Sequence, residues 1–231
     1  MSAVSTRSVA TGTTEKTGYP YWLRIGFWAC IAIAVAVVLR RLVALAHPSP
    51  SGPPQLAGLD RAFASHTGLT LAHILPALVF VVLVPVVLLR WSKAAWIEQA
   101  LFFLGLVVGI TAYGMSAYAV GGWIERSAVL FFNSLFLFSL VRAYWYMRHG
   151  AFLQERRWLI RAIGILLGIA TTRPVMGIFF ATSRLTHLEP RQFFGIAFWV
   201  GFSINTIAVE CWLRSRNYQT LSDKMAFGPE T

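Results

Sequence analysis

The chain has 231 residues, of which 57% are hydrophobic and only 13% charged, with a mean hydropathy of +0.62. A soluble domain carries roughly 25% charged residues, so the composition excludes an ordinary water-soluble fold and points to an all-α, polytopic integral membrane protein. The formal charge of +11 is read as topology signal and attraction to anionic lipid, with no nucleic acid as partner.

In chain order, residues 1–20 are polar, rich in Ser and Thr, and read as a disordered cytoplasmic leader. A first apolar run, about 21–39, centres on IGFWACIAIAVAVVL and is stopped by Arg40 and Arg41, followed by the Pro-rich HPSPSGPP. Five further runs cover about 63–90, 94–120, 127–147, 158–182 and 192–213, each near the 20 residues that a membrane helix needs. Together they define a six-helix transmembrane domain, 21–213, with a cytoplasmic tail over 214–231. The alternating ten-residue segments of a β-barrel are absent. Ala44-Leu45-Ala46 resembles a signal-peptide cleavage site, but Arg40 and Arg41 separate it from the apolar core, so the first run is expected to remain as an anchor. Cys30 and Cys211 fall at different depths, which argues against a disulfide between them.

Lys and Arg distribution orients the bundle. Thirteen of the 20 basic residues fall on the side of the termini and six on the other, which predicts a plasma (inner) membrane protein with both termini in the cytoplasm. The twentieth is Arg173, in ATTRPVMG, within the fifth run.

At about 1.5 Å of rise per residue, His73 lies about 25 Å above Arg90 and Arg173 about 24 Å above Arg157. The two therefore share a level in the outer half of the membrane, where Tyr113, Tyr118 and Asn133 also fall, with His66 nearer the surface and Asn205 nearer the middle. An ionisable residue at such depth is a functional candidate, because an unpaired charge in hydrocarbon is costly. Arg173, His73, His66, Tyr113 and Asn133 are the candidate ligand-pocket residues. The structural alternatives are that Arg173 hydrogen-bonds carbonyls freed by Pro174 and that His73 bonds a neighbouring helix.

A second polar layer on the cytoplasmic side contains Glu98, Gln99, Arg142, Arg161 and Glu210. Arg161 with Glu210 is the preferred ion pair, since consecutive antiparallel helices usually touch; Glu98 is a further candidate for such a clamp. Small-residue stripes at Gly164, Gly168 and Thr172, and at Gly105 and Gly109, allow close helix approach.

His66 and His73 are seven residues apart, about 10 Å along a helix, too far for one metal. A bis-histidine b-type haem lacks a partner histidine at matching depth. An outer-rim metal would have to draw on His47, His66, His187 and Glu189, which have no tight ligand spacing. The cofactor is thus left unknown.

ERRWLIRAIGILLGIATTRP, residues 155–174, resembles the "basic, Trp, Met or Leu, Ile, Arg, then twelve residues to a second Arg" stretch of the bacterial predicted membrane proteins grouped as domain-of-unknown-function family 2306. SHTGLTLAH (65–73) is similar to that family's early histidine-bearing helix, and 199–210 to its closing helix, so the resemblance covers roughly 62–214. It implies that Trp158, Arg161, Arg173 and Glu210, with His73 or His66, are matched positions. Family members carry a His-Arg pair before a Gly where this chain reads RWSKAAWIEQALFFLG, and tend to carry histidine at Glu155. The resemblance implies no activity.

Two functions are expected from these residues. One is a small-molecule, lipid or quinone-binding component, with transport or redox-linked roles open, built around an outward-facing polar pocket. The other is a structural or accessory subunit of a larger membrane complex. The absence of a nucleophile motif, phosphate loop or paired intramembrane carboxylates leans against an enzyme.

Overall fold

Hydrocarbon offers no hydrogen-bond partner to a backbone amide, so an apolar chain that crosses it must satisfy its peptide groups within each segment. The computed structural model describes residues 20–47, 64–89, 91, 94–186 and 190–226, without the side chains of 183–186, 190–192 and 217–226. Among the described residues there are helices and no strands: α1 (Tyr21–Ala46), α2 (Thr67–Leu88), α3 (Ala95–Ser116), α4 (Gly122–Arg148), α5 (Phe152–Thr186) and α6 (Pro190–Ala226). All six contain a stretch long and apolar enough to span a membrane. The leader other than Pro20, and the Pro-rich loop apart from His47, lie outside the described residues.

Helix bounds depart from the hydropathy runs where polar residues occur inside helices. Helix α1 continues through Arg40 and Arg41 to Ala46, α4 begins at Gly122, before the apolar run, and α6 runs unbroken past Arg214 to Ala226. A guanidinium does not stop a helix, since Arg is a good helix former; it only limits how far the apolar stretch extends. The turn between α4 and α5 has a specific stop: Gly150 adopts φ 69°, its N–H donates to Met147 O (3.2 Å) and Ala151 N–H donates to Tyr146 O (3.0 Å). This is the left-handed C-terminal cap that favours glycine.

Helices α1 to α5 pack in a closed ring, each against its neighbours in sequence and α5 against α1, while α6 lies outside against α4 and α5. Helix α5 touches α1, α4 and α6, and its seam with α6 is the most extensive in the bundle. That seam is made by glycines. A Cβ at Gly164 would lie 2.6 Å from Val209, one at Gly168 2.6 Å from Phe202, and one at Gly201 2.7 Å from the backbone N of Thr172. On the other side of the ring, Gly105 admits Leu140 and Phe80, and Gly109 admits Leu137. The core between these contacts is aromatic: Phe132 stacks on Phe202 at 5.1 Å, and Phe80 meets Phe136 edge-on at 6.2 Å.

Because Gly201 faces the Thr172 backbone as well as its methyl group, and backbone cannot move aside, Gly201→Val should cost about 1–3 kcal/mol or prevent folding. Gly177→Ala, where a Cβ meets nothing within 4 Å, should leave stability unchanged or raise it. Reversible unfolding of both variants in mixed micelles measures the contrast.

Candidate functional site

The ring, with α6 beside it, surrounds a partly open cavity of about 270 Å³ at the end of the bundle away from the termini, lined from all six helices. Its deeper wall is apolar, formed by residues such as Val81, Phe136, Ile165, Leu166 and Phe202. Its upper wall carries Arg41, His66, His73, Glu125, Asn133 and Arg173. Polar and apolar walls at opposite ends match an amphiphile better than a uniformly polar solute.

Helical period explains how each residue arrives there. On α5, Leu166, Ile169, Ala170 and Arg173 recur at three- and four-residue steps and share one face of the cavity. On α2 the same period brings Leu69, Thr70, His73, Ile74, Ala77 and Val81 inward. Four of the five pocket candidates, Arg173, His73, His66 and Asn133, thus meet in one cavity. Tyr113 does not line it: its side chain is exposed, and its hydroxyl lies 2.7 Å from Ser134 Oγ. Tyr113 shares the depth of the others but points to a different side of α3, because depth along a helix says nothing about rotation around it.

His73 Nδ1 is 2.9 Å from Thr111 Oγ1 on α3. The Thr111 hydroxyl donates to the carbonyls of Val107 (2.7 Å) and Val108 (3.0 Å). A hydroxyl has one proton, so when Thr111 gives it to a carbonyl, His73 Nδ1–H is the donor toward Thr111 and Nε2 is left as an acceptor. Asn133 Nδ2 donates to Gly109 O at 2.8 Å, which ties α4 to α3. At the rim His66 stacks on Tyr118 with centroids 3.6 Å apart, and its Nδ1 is 2.9 Å from Ser65 Oγ.

Arg173 is less well provided. Its Nε is buried without a hydrogen-bond partner, and its Nη1 reaches only Met176 Sδ, at 4.0 Å. No bond to a carbonyl freed by Pro174 is present among the described residues. The carboxyl group of Glu125 shares the wall but accepts from Gly121 N–H, and among the described residues no carboxylate lies within ion-pair distance of Arg173.

Arg41 and Glu125 are site residues that hydropathy reading passed over. Arg41 is only 8% exposed. Both had a legible signal: Ala34, Val37, Val38 and Arg41 lie on one face once α1 is extended past residue 39, and Glu125, Val129, Phe132, Asn133 and Phe136 do so once α4 starts before residue 127. Ending helices at the first charge hid them.

The opposite polar layer holds a different arrangement. Arg161 Nε donates to Glu210 Oε2 at 2.9 Å and Nη2 to Oε1 at 3.4 Å, while Arg214 joins Glu210 from the next turn at 3.2 Å. Trp158 lies between two cations, Arg161 at 4.8 Å and Arg142 at 5.5 Å. Arg156 Nη2 donates to Leu88 O at 2.9 Å, which covers an end carbonyl of α2. Glu98 occupies the first turn of α3 and makes no ion pair among the described residues. Two residues before Arg173 on α5, Thr171 Oγ1 donates to Asn205 Oδ1 at 2.7 Å, with Cys30 Sγ 3.6 Å from the same hydroxyl, joining α5, α6 and α1.

No group of three His, Cys, Asp or Glu side chains able to hold a metal occurs among the described residues. His187 and Glu189, named for the outer-rim metal, lie outside them.

Six membrane-length helices around an internal cavity define a polytopic helical membrane protein. The profile of the family described as "Predicted membrane protein (DUF2306)" matches residues 70–213, and the chain belongs to that family. The match begins in α2 and ends in α6, so α1 and its Arg41 precede it. No curated protein and no solved structure matches the chain.

The Arg161 and Glu210 side chains are 24% and 34% exposed, so solvent and headgroups screen the pair. A double-mutant cycle with Arg161→Ala and Glu210→Ala, read by unfolding in micelles, should give a coupling of about 0.2–1 kcal/mol.

Proposed function

We propose that this protein binds an amphiphilic small molecule of lipid or quinone type in the cavity, with the polar group at Arg173 and His73 and the apolar part against the deeper wall. The observation that carries this reading is the Arg173 guanidinium, which lines the cavity with a buried Nε that no acceptor among the described residues satisfies. A merely structural arginine in hydrocarbon would be expected to spend its donors on carbonyls or a carboxylate, as Arg156 and Arg161 do. We place the protein in the plasma (inner) membrane with both termini in the cytoplasm, as its basic residues favour; the cavity then lies on the outer side. In this reading His73 Nε2 offers an acceptor and Arg173 offers donors, so a head group with both functions is held at two points.

A ligand present at 100 times its Kd stabilises its receptor by about 2.7 kcal/mol. Thermal unfolding against membrane lipids and quinones should therefore reveal at least one stabilising compound, and Ala170→Phe, which fills the cavity from α5, should abolish its effect. An accessory subunit with no ligand of its own would respond to none of them. Cysteine accessibility in intact cells checks the orientation: a cysteine at Arg126 should label from outside and one at His149 should not.

A further inference from the structure

The chemistry of the head group follows from what Arg173 lacks, granted that the cavity is a ligand site. Among the described residues its guanidinium has a sulfur contact and no oxygen acceptor, and no carboxylate pairs with it. A neutral carbonyl would satisfy one donor and leave the guanidinium balanced only by Glu125, which shares the wall but lies beyond ion-pair distance. A carboxylate supplies two oxygens in the plane that the arginine fork favours and neutralises the charge at the same time. A doubly charged head such as a phosphate monoester would cost more to desolvate and would leave an excess negative charge near Glu125. At about 270 Å³ the cavity lies just under the usual range for small-molecule sites, roughly 300–1,000 Å³. One apolar chain fits inside that partly open space, and the two chains of a bilayer phospholipid do not fit inside it together. We propose that the ligand is a single-chain carboxylate, a fatty-acid-like amphiphile whose carboxylate pairs with Arg173 and whose chain lies against Val81, Phe136 and Ile165.

The test uses the full chain in nanodiscs and compares decanoate with decanol, decyltrimethylammonium and decyl phosphate, read by displacement of a fluorescent fatty-acid probe and by thermal shift. Decanoate should bind at least tenfold more tightly than each of the other three. Arg173→Gln should lower decanoate affinity at least tenfold and leave decanol unchanged, and Arg173→Lys should recover only part of the loss. Ala77→Phe, in the apolar wall, should weaken decanoate and decanol alike; it also gives a second readout if Arg173→Gln does not fold. If decanol or decyl phosphate equals decanoate, or if Arg173→Gln leaves decanoate binding intact, the carboxylate assignment is overturned while the cavity remains a ligand site. If none of the four binds and Ala77→Phe changes nothing, the ligand-site reading fails with it.

Discussion

Inside a bilayer every polar group must find its partner within the protein, and this accounting organises the molecule. Asn133 is spent on the Gly109 carbonyl, Thr171 on Asn205, Thr111 on its own helix and His73 on Thr111. Each of these except the Thr111 back-bond joins two helices, so satisfying the polar groups also sets which helices are neighbours. Arg173 is where the accounting stays open. Arg142 also has an unsatisfied Nε, but its guanidinium lies 5.0 to 5.6 Å from three aromatic rings and donates to Tyr146 Oη at 2.9 Å. Arg173 faces a cavity instead.

Helix α5 links the two polar layers. Its cavity face ends at Arg173, and twelve residues earlier Arg161 clamps Glu210 of α6. Between them, Gly164 and Gly168 on α5 and Gly201 on α6 let the two backbones approach closely. An ion pair at one end and close backbone approach along the seam hold α5 and α6 together. That seam sets where the Arg173 backbone stands on the cavity wall.

The cavity itself exists because the ring of α1 to α5 is not filled at the end of the bundle away from the termini. Phe80, Phe136 and Leu140 fill the ring toward the terminal end, whereas nearer the other end smaller residues, Ala34, Ala77, Ala112 and Ala170, line the space. Small residues facing one another across a bundle leave volume that no other side chain reaches. The same choice of residues that makes close seams elsewhere makes a hollow here, depending on whether a neighbour fills the gap.

Composition by itself determined that the chain is a helical membrane protein with six spans, because apolar length is a local property set by bilayer thickness. Counting residues sets His73, Asn133 and Arg173 at one level along their helices, and all three line one cavity; the stretch around Arg161 and Arg173 stands out by its charges. Rotation about each helix axis was legible only where the helix ends were right, so Arg41 and Glu125 were passed over and Tyr113 was grouped with residues it does not face. Which helices adjoin, how closely the glycine seams approach and whether a cavity remains were decided by tertiary packing alone. Those outcomes depend on side chains from several helices meeting at one place, and no single segment of the sequence contains that information.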